Sequence, residues 1–344
     1  MLKGILVGLG VVFFLIILVK AFSGGGETTT TTTNPPVTTS TTAPKPKPTN
    51  TQTTKPTPEP TTPTTTTPPA GGYQNADYTV PAPNLNPPDL PLPETYGDAT
   101  DWMVNNPFYL QAIPAPVECQ IPDINPIAAS KTDLQTYLND SVACLMRVWG
   151  PQLQAAGFNA SRPSVTVYSG QIQSPCGKMP SQNALYCSAD QQVYYATDLP
   201  DLFPSQATDP MVPVAVIAHE FGHAIQAQTG ILYSEIIWQH TDSDNGDDAS
   251  ANDLSRRTEQ QADCFSGAFM QAISLSIGLT LDEQAALAQV FYAIGDDVLS
   301  GDPNYDGDHG HGNNRVHWFQ VGLAAPTAGS CNTFGPNVTT DQVR

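Results

Sequence analysis

Basic residues are scarce in this chain. Lys and Arg number 13 against 32 Asp and Glu over 344 residues, a formal net charge of −19. Two of the acidic and five of the basic residues precede Tyr73, which leaves 30 against 8 in the rest. A surface this negative excludes a protein that grips phosphate backbones or adheres to anionic lipid by charge, so no nucleic-acid partner is expected. Histidine is rarer still, with six residues at 219, 223, 240, 309, 311 and 317. None of the six cysteines stands in a CxxC pair, which removes thiolate zinc sites and thioredoxin-like motifs. Their even number suits disulfides in an exported domain. Cys176 and Cys187, close in sequence around a loop, are the favoured pair, with Cys119–Cys144 and Cys264–Cys331 as further pairings.

What is present divides the chain into parts. Residues 4–19, GILVGLGVVFFLIILV, are apolar without interruption. That run is a little short of a standard membrane span and long for a signal core. Residues 1–23 are therefore read as a membrane anchor or a signal segment. The expected location is the cell membrane, single-pass with the folded domain outside the cytoplasm, or secreted if the segment is cleaved. Residues 24–72 are almost wholly Thr and Pro, unable to bury a core, and read as a disordered stalk. Residues 73–98 form a Pro-rich extended arm, 99–335 the folded domain, and 336–344 a tail.

Within the domain, Leu134, Leu138, Val142, Leu145 and Trp149 fall on one face of a helix over residues 131–150. Residues 163–170 alternate like a strand, and 183–199 read as a hairpin whose second strand is 193–197. A helix begins near Pro213 and stops at Gly230. The acidic stretch HTDSDNGDDASAND reads as a loop. Helices follow over about 253–277, then from a Thr280–Glu283 capping box to Gly295, with a short last one in NNRVHWFQVGLA. Strands first and helices later make the fold class α+β.

The chemistry concentrates in VAVIAHEFGHAIQAQTG. His219 and His223 are four apart, so on a helix both imidazoles lie on one face, the spacing that lets them bind one Zn²⁺. Glu220 lies about 100° around the helix and can act as general base on a water at that metal. A chance HExxH in a chain of this composition is expected only about 0.002 times. The flanks are apolar, so the pair is buried and needs partners. Gly222, costly inside a helix, is understandable if another backbone passes close by.

Catalytic zinc ordinarily takes a third protein ligand. The metzincin spacing fails, because Gln226 and Thr229 occupy the required positions. His240 and the acidic stretch offer donors on charged, exposed chain. SRRTEQQADCFSGAF offers a better one: Glu259 and Asp263 share a helix face, Glu259 as ligand and Asp263 accepting the N–H of a ligating histidine.

Four blocks carry a family resemblance: CSADQQVYY, AHEFGHAIQ, RRTEQQADCFSGAF, and AIGDD with the later HGNNRVHWFQVG. With these in order, the chain resembles the "putative neutral zinc metallopeptidase" family over most of residues 99–335, in a membrane-anchored actinobacterial-type version. The resemblance implies a zincin-like fold with a small sheet, an HExxH active-site helix and a helical C-terminal half. It implies a zinc-dependent endopeptidase acting on protein or peptide substrates, with His219, His223 and Glu259 as ligands and Glu220 as base.

The rival reading is a non-catalytic cell-envelope interaction module with structural zinc. The strand at 193–197 is expected to lie along the cleft and pair with substrate backbone. His311, in a Gly-rich loop, is expected to stabilise the oxyanion, with Arg315 as alternative donor or loop brace. DPNYDGD matches only half of a Ca²⁺ loop, since Asn313 stands where Glu is needed, so Ca²⁺ there or over residues 242–248 is a minor expectation.

Overall fold

The computed structural model describes residues 71–344. The apolar stretch 4–19 and the Thr/Pro stretch up to residue 70 lie outside the described residues, and so do the readings that fall on them. Among the described residues no helix is long and apolar enough to cross a membrane.

The Pro-rich arm runs without helix or strand until Thr95 caps helix α1 (Tyr96–Val104) through a capping box with Asp98. The arm is stitched to the domain: Asn84 N–H donates to the Arg162 carbonyl at 2.8 Å, and the Gln191 amide donates to Pro88 O at 2.8 Å. Helix α2 (Lys131–Ala155), capped by Ser130, buries the five apolar residues read from its periodicity.

Strands β1 (Val165–Tyr168), β4 (Ala184–Cys187) and β5 (Gln192–Ala196) make a three-stranded sheet in the order β1-β5-β4. A separate hairpin pairs β2 (Ile172–Ser174) with β3 (Gly177–Met179). β5 runs parallel to β1 and antiparallel to β4. Both its edges are thus taken, so the strand expected along the cleft is the central one and cannot pair with anything else. Of the two outer edges, that of β1 is met by side chains, Val165 and Val167 N–H donating to Asn139 Oδ1 and Gln135 Oε1 at 3.0 and 3.2 Å, and the other belongs to β4. Ala196 N–H donates to Asn183 O at 2.8 Å, and antiparallel alternation then turns the N–H and C=O of Ala184 and Tyr186 away from β5.

The rest is helical: α3 (Met211–Gln228), α4 (Ile231–Asp244), α5 (Asp248–Ile277), α6 (Leu281–Ala293), α7 (Asp296–Ser300) and α8 (Gly312–Leu323). Mixed α+β with a helical C-terminal half is the class expected. One local reading is corrected. The supposed acidic loop is mostly helix, the end of α4 and the start of α5, broken only at residues 245–247. Its Asp and Ser residues suit caps, and Asp247 caps α5 through Ser250 N–H. Within residues 336–344, read as a tail, Val343 is fully buried.

Two close helix crossings position the site. A Cβ on Gly222 would stand 2.9 Å from the Cα and Cβ of Ala262, so α3 and α5 cross with no room for a side chain. Gly267 and Gly322 do the same for α5 and α8, each facing the other helix's carbonyls at Phe319 and Cys264. Three disulfides brace the domain: Cys119–Cys144, Cys176–Cys187 and Cys264–Cys331.

Candidate metal centre

The Gly222–Ala262 crossing sets one face of α3 against one face of α5. His219 and His223 thereby meet Glu259, four residues before Asp263 on the same face of α5. His219 Nε2 lies 3.3 Å from Glu259 Oε2, His223 Nε2 lies 3.4 Å from Glu259 Oε1, and the two Nε2 atoms are 3.1 Å apart. All three side chains are buried.

The other ring nitrogens define what these atoms can do. His219 Nδ1 sits 2.7 Å from Asp263 Oδ1. His223 Nδ1 sits 2.8 Å from Gln226 Oε1, and that amide is oriented by its NH₂ donating to Thr258 O and Gln261 Oε1. Both partners accept, so both Nδ1 atoms carry hydrogens and both Nε2 lone pairs converge. Glu259 Oε1 has no hydrogen-bond donor. A proton can bridge one of these contacts, whereas a divalent cation satisfies all of them. Ligand atoms about 2.0–2.1 Å from a tetrahedral zinc stand roughly 3.3–3.4 Å apart; the two histidine–carboxylate spacings match, and the histidine–histidine one, at 3.1 Å, is slightly shorter. The residues present therefore fit zinc.

The electrostatics agree with that fit. Burial disfavours a charged His219, but Asp263 and Glu259 outweigh it and hold its pKa up to about 9. Burial also works against the Glu259 carboxylate, yet His223 and His219 keep it well below the usual range. Arg315 forks onto Asp263, Nε to Oδ2 at 2.8 Å and one terminal nitrogen to Oδ1 at 2.9 Å, and it is 1% exposed. Its charge is thus committed to bracing Asp263, which aims His219. The same arm stands 3.6 Å from Glu259 Oε2.

Glu220 is buried beside the donors. Its Oε2 accepts the outward N–H of Tyr186 on the β4 edge at 2.8 Å. Burial raises its pKa, against the opposing pull of His219 and His223. A pocket opens over these groups. Ala184, Leu199, Phe203, Val216, Phe291 and Ile294 give it apolar walls, and His309 and Arg315 share it with the donors and Glu220.

His311 does not reach this pocket. It is the N-cap residue of α8, and its Nε2 turns to Tyr305 O at 3.0 Å and Asp306 at 3.6 Å. The loop instead delivers His309. His240, another donor considered from the sequence, is not part of the converging set. Among the described residues, metal-binding side chains gather in two places: His219, His223 and Glu259, and then Asp296, Asp308 and His309. Neither half-matched calcium stretch forms such a group by itself.

Sequence reasoning missed Gln226, His309 and Glu235. Gln226 carried a signal, three residues past His223 on the same helix. Glu235 lies in α4, 2% exposed, its pKa pushed up to about 8 by burial and then by Glu259 and Asp308. No pattern marked it.

A family model described as "putative neutral zinc metallopeptidase" matches residues 110–334. The chain is 29% identical over 220 residues to uncharacterized protein YpfJ of Escherichia coli K12, covering 62% of this chain and 75% of that relative. It is 31% identical over 207 residues to uncharacterized protein Rv2575 of Mycobacterium tuberculosis, covering 54% and 66%. No solved structure matches.

Proposed function

Since this chain belongs to the family described as "putative neutral zinc metallopeptidase", we propose that it is a zinc-dependent endopeptidase that hydrolyses peptide bonds outside the cytoplasm, tethered by its N-terminal segment. The observation that carries this reading is the convergence of two imidazole lone pairs and an orphaned carboxylate oxygen beside the independently held Glu220. His219, His223 and Glu259 would hold the zinc, which when bound supplies a Lewis acid for the peptide carbonyl and makes water more acidic.

The chain's own residues supply the rest. Glu220 takes a proton from the attacking water and delivers it to the leaving amine. Tyr186 N–H fixes one carboxylate oxygen. The substrate lies as an added strand along the β4 edge, where Ala184 has its N–H and C=O turned outward and lines the pocket. The apolar walls exclude bulk water and strengthen the local field. The extracytoplasmic location rests on residues 4–19, the Thr/Pro stretch and three disulfides that need an oxidising compartment.

The test is cleavage of a peptide library by the zinc-loaded chain, with and without chelator. Chelator-sensitive internal cleavage is expected. One zinc per chain with no cleavage of any peptide would reject the endopeptidase reading in favour of a zinc-braced cell-envelope interaction module.

A further inference from the structure

His309 is 7% exposed and its Nε2 has no hydrogen-bond partner, yet the residue lines the pocket shared by Glu220 and the three converging donors. An unpartnered buried ring nitrogen is costly unless something is to be met there. The rest of the residue is held firmly. Nδ1 is 2.7 Å from Asp308 Oδ1 and 3.6 Å from Asp296 Oδ1. Asp296 Oδ2 accepts the backbone N–H groups of both His309 and Gly310, at 2.8 and 2.7 Å. Asp296 N–H returns a bond to Gly310 O at 2.9 Å, and Arg256 holds Gly307 O at 2.9 Å. A Cβ on Gly307 would strike the Asp296 carboxylate. The loop is thus built around Asp296, and its product is one unpartnered imidazole nitrogen on a residue that lines the pocket.

From this geometry we infer that His309 is a catalytic residue of the peptidase: its Nε2–H donates to the oxygen of the scissile carbonyl as negative charge develops there, with Asp308 and Asp296 positioning the ring. The inference rests on the peptidase reading above. Nδ1–H is committed to Asp308, so a donor at Nε2 requires the imidazolium. Burial opposes that form, and the carboxylates facing Nδ1, Asp308 at 2.7 Å and Asp296 at 3.6 Å, favour it. No atom changes owner at this step: the hydrogen stays on Nε2 and the bond to oxygen shortens as charge grows. Donors of this kind act on the rate and hardly on substrate affinity.

The experiment uses the full chain loaded with zinc. His309→Ala should keep one zinc per chain and stay folded, with a lowered thermal midpoint because Asp308 and Asp296 lose their partner. Its kcat should fall by ~10²–10³ with KM little changed. Affinity for a phosphinic analogue of the best-cleaved peptide, whose charged tetrahedral group mimics the transition state, should fall by a similar factor. His309→Gln, which returns a neutral N–H near the same place, should recover part of both losses. Asp308→Asn should lower kcat less and leave zinc bound. Unchanged kcat in His309→Ala overturns the inference, as does loss of zinc, which would make His309 a ligand, or a rise in KM alone. Should His309→Ala not fold, a fully active His309→Gln with unaltered phosphinic affinity overturns it equally. A parent chain that binds zinc and cleaves nothing defeats the peptidase reading, and this inference falls with it.

Discussion

Two histidine arrangements share one pocket and are built from opposite materials. His219 and His223 sit on the rigid α3, each with its Nδ1 hydrogen given to a neutral or anionic acceptor, so that two lone pairs meet a carboxylate. His309 sits in a loop shaped by one aspartate, with its Nδ1 on Asp308 and its Nε2 alone. Three convergent donors make a site for a cation, whereas a ring held by carboxylates at one nitrogen and left unpartnered at the other is suited to donate a hydrogen bond. The same side chain takes either role according to how many neighbours point with it.

Separating base from ligands is the sharpest test of the comparison. Glu220→Gln should lower kcat by about 10²–10⁴ while one zinc per chain is retained. A variant that cleaves at the parent rate would remove Glu220 from the chemistry.

Asp263→Ala strikes the ligand side alone. It strands the buried Arg315 guanidinium, which should cost about 3–5 kcal/mol of stability in the metal-free protein. It also unfastens His219, which should weaken zinc binding ~10–100-fold. Denaturant unfolding of the stripped protein and chelator competition read the two effects separately. Unaltered zinc affinity would show that His219 needs no brace.

Gly222→Ala tests whether the helix crossing sets the donor spacing. Its Cβ must displace Ala262, at a cost of about 1–3 kcal/mol. Weaker zinc binding should accompany the loss. Full stability would mean that α3 and α5 can part freely.

The smallest effect is a slope. Without metal, His219 rises from 6.5 to about 9, so its proton stabilises the apo fold fully below about pH 6.5, and that contribution is lost as pH climbs through about 9. Zinc must displace this proton, so zinc affinity should rise with pH over the same range. Titrating unfolding and metal binding side by side checks the opposite signs. Parallel slopes would mean the proton sits elsewhere.

These two arrangements also differ in how far the sequence disclosed them. His219, Glu220 and His223, and then Glu259 with Asp263, were visible because helical spacing turns sequence distance into direction. His309 was passed over in favour of His311, two residues away in the same Gly-rich loop. No periodicity governs a loop, and what aims His309 is Asp296, which is distant in sequence and acts through backbone N–H groups. The sheet failed in the same way. Local pattern located β4 and β5, but which of them lies at the edge depends on β1, paired across the chain. Helix α4 was hidden by acidic and Ser residues that read as loop and in fact cap and flank helices.

The crossing of α3 over α5 bears on how this chain can vary over generations. Position 222 touches no reacting atom, yet any side chain there meets both Cα and Cβ of residue 262. Shrinking Ala262 to glycine removes only one of those two atoms, so no single compensating change opens the route. Position 222 should therefore be as immobile in descendants as the ligands beside it, for reasons of volume rather than chemistry. A survey of inherited variants that equated invariance with catalysis would count Gly222 among the reactive residues, where it does not belong.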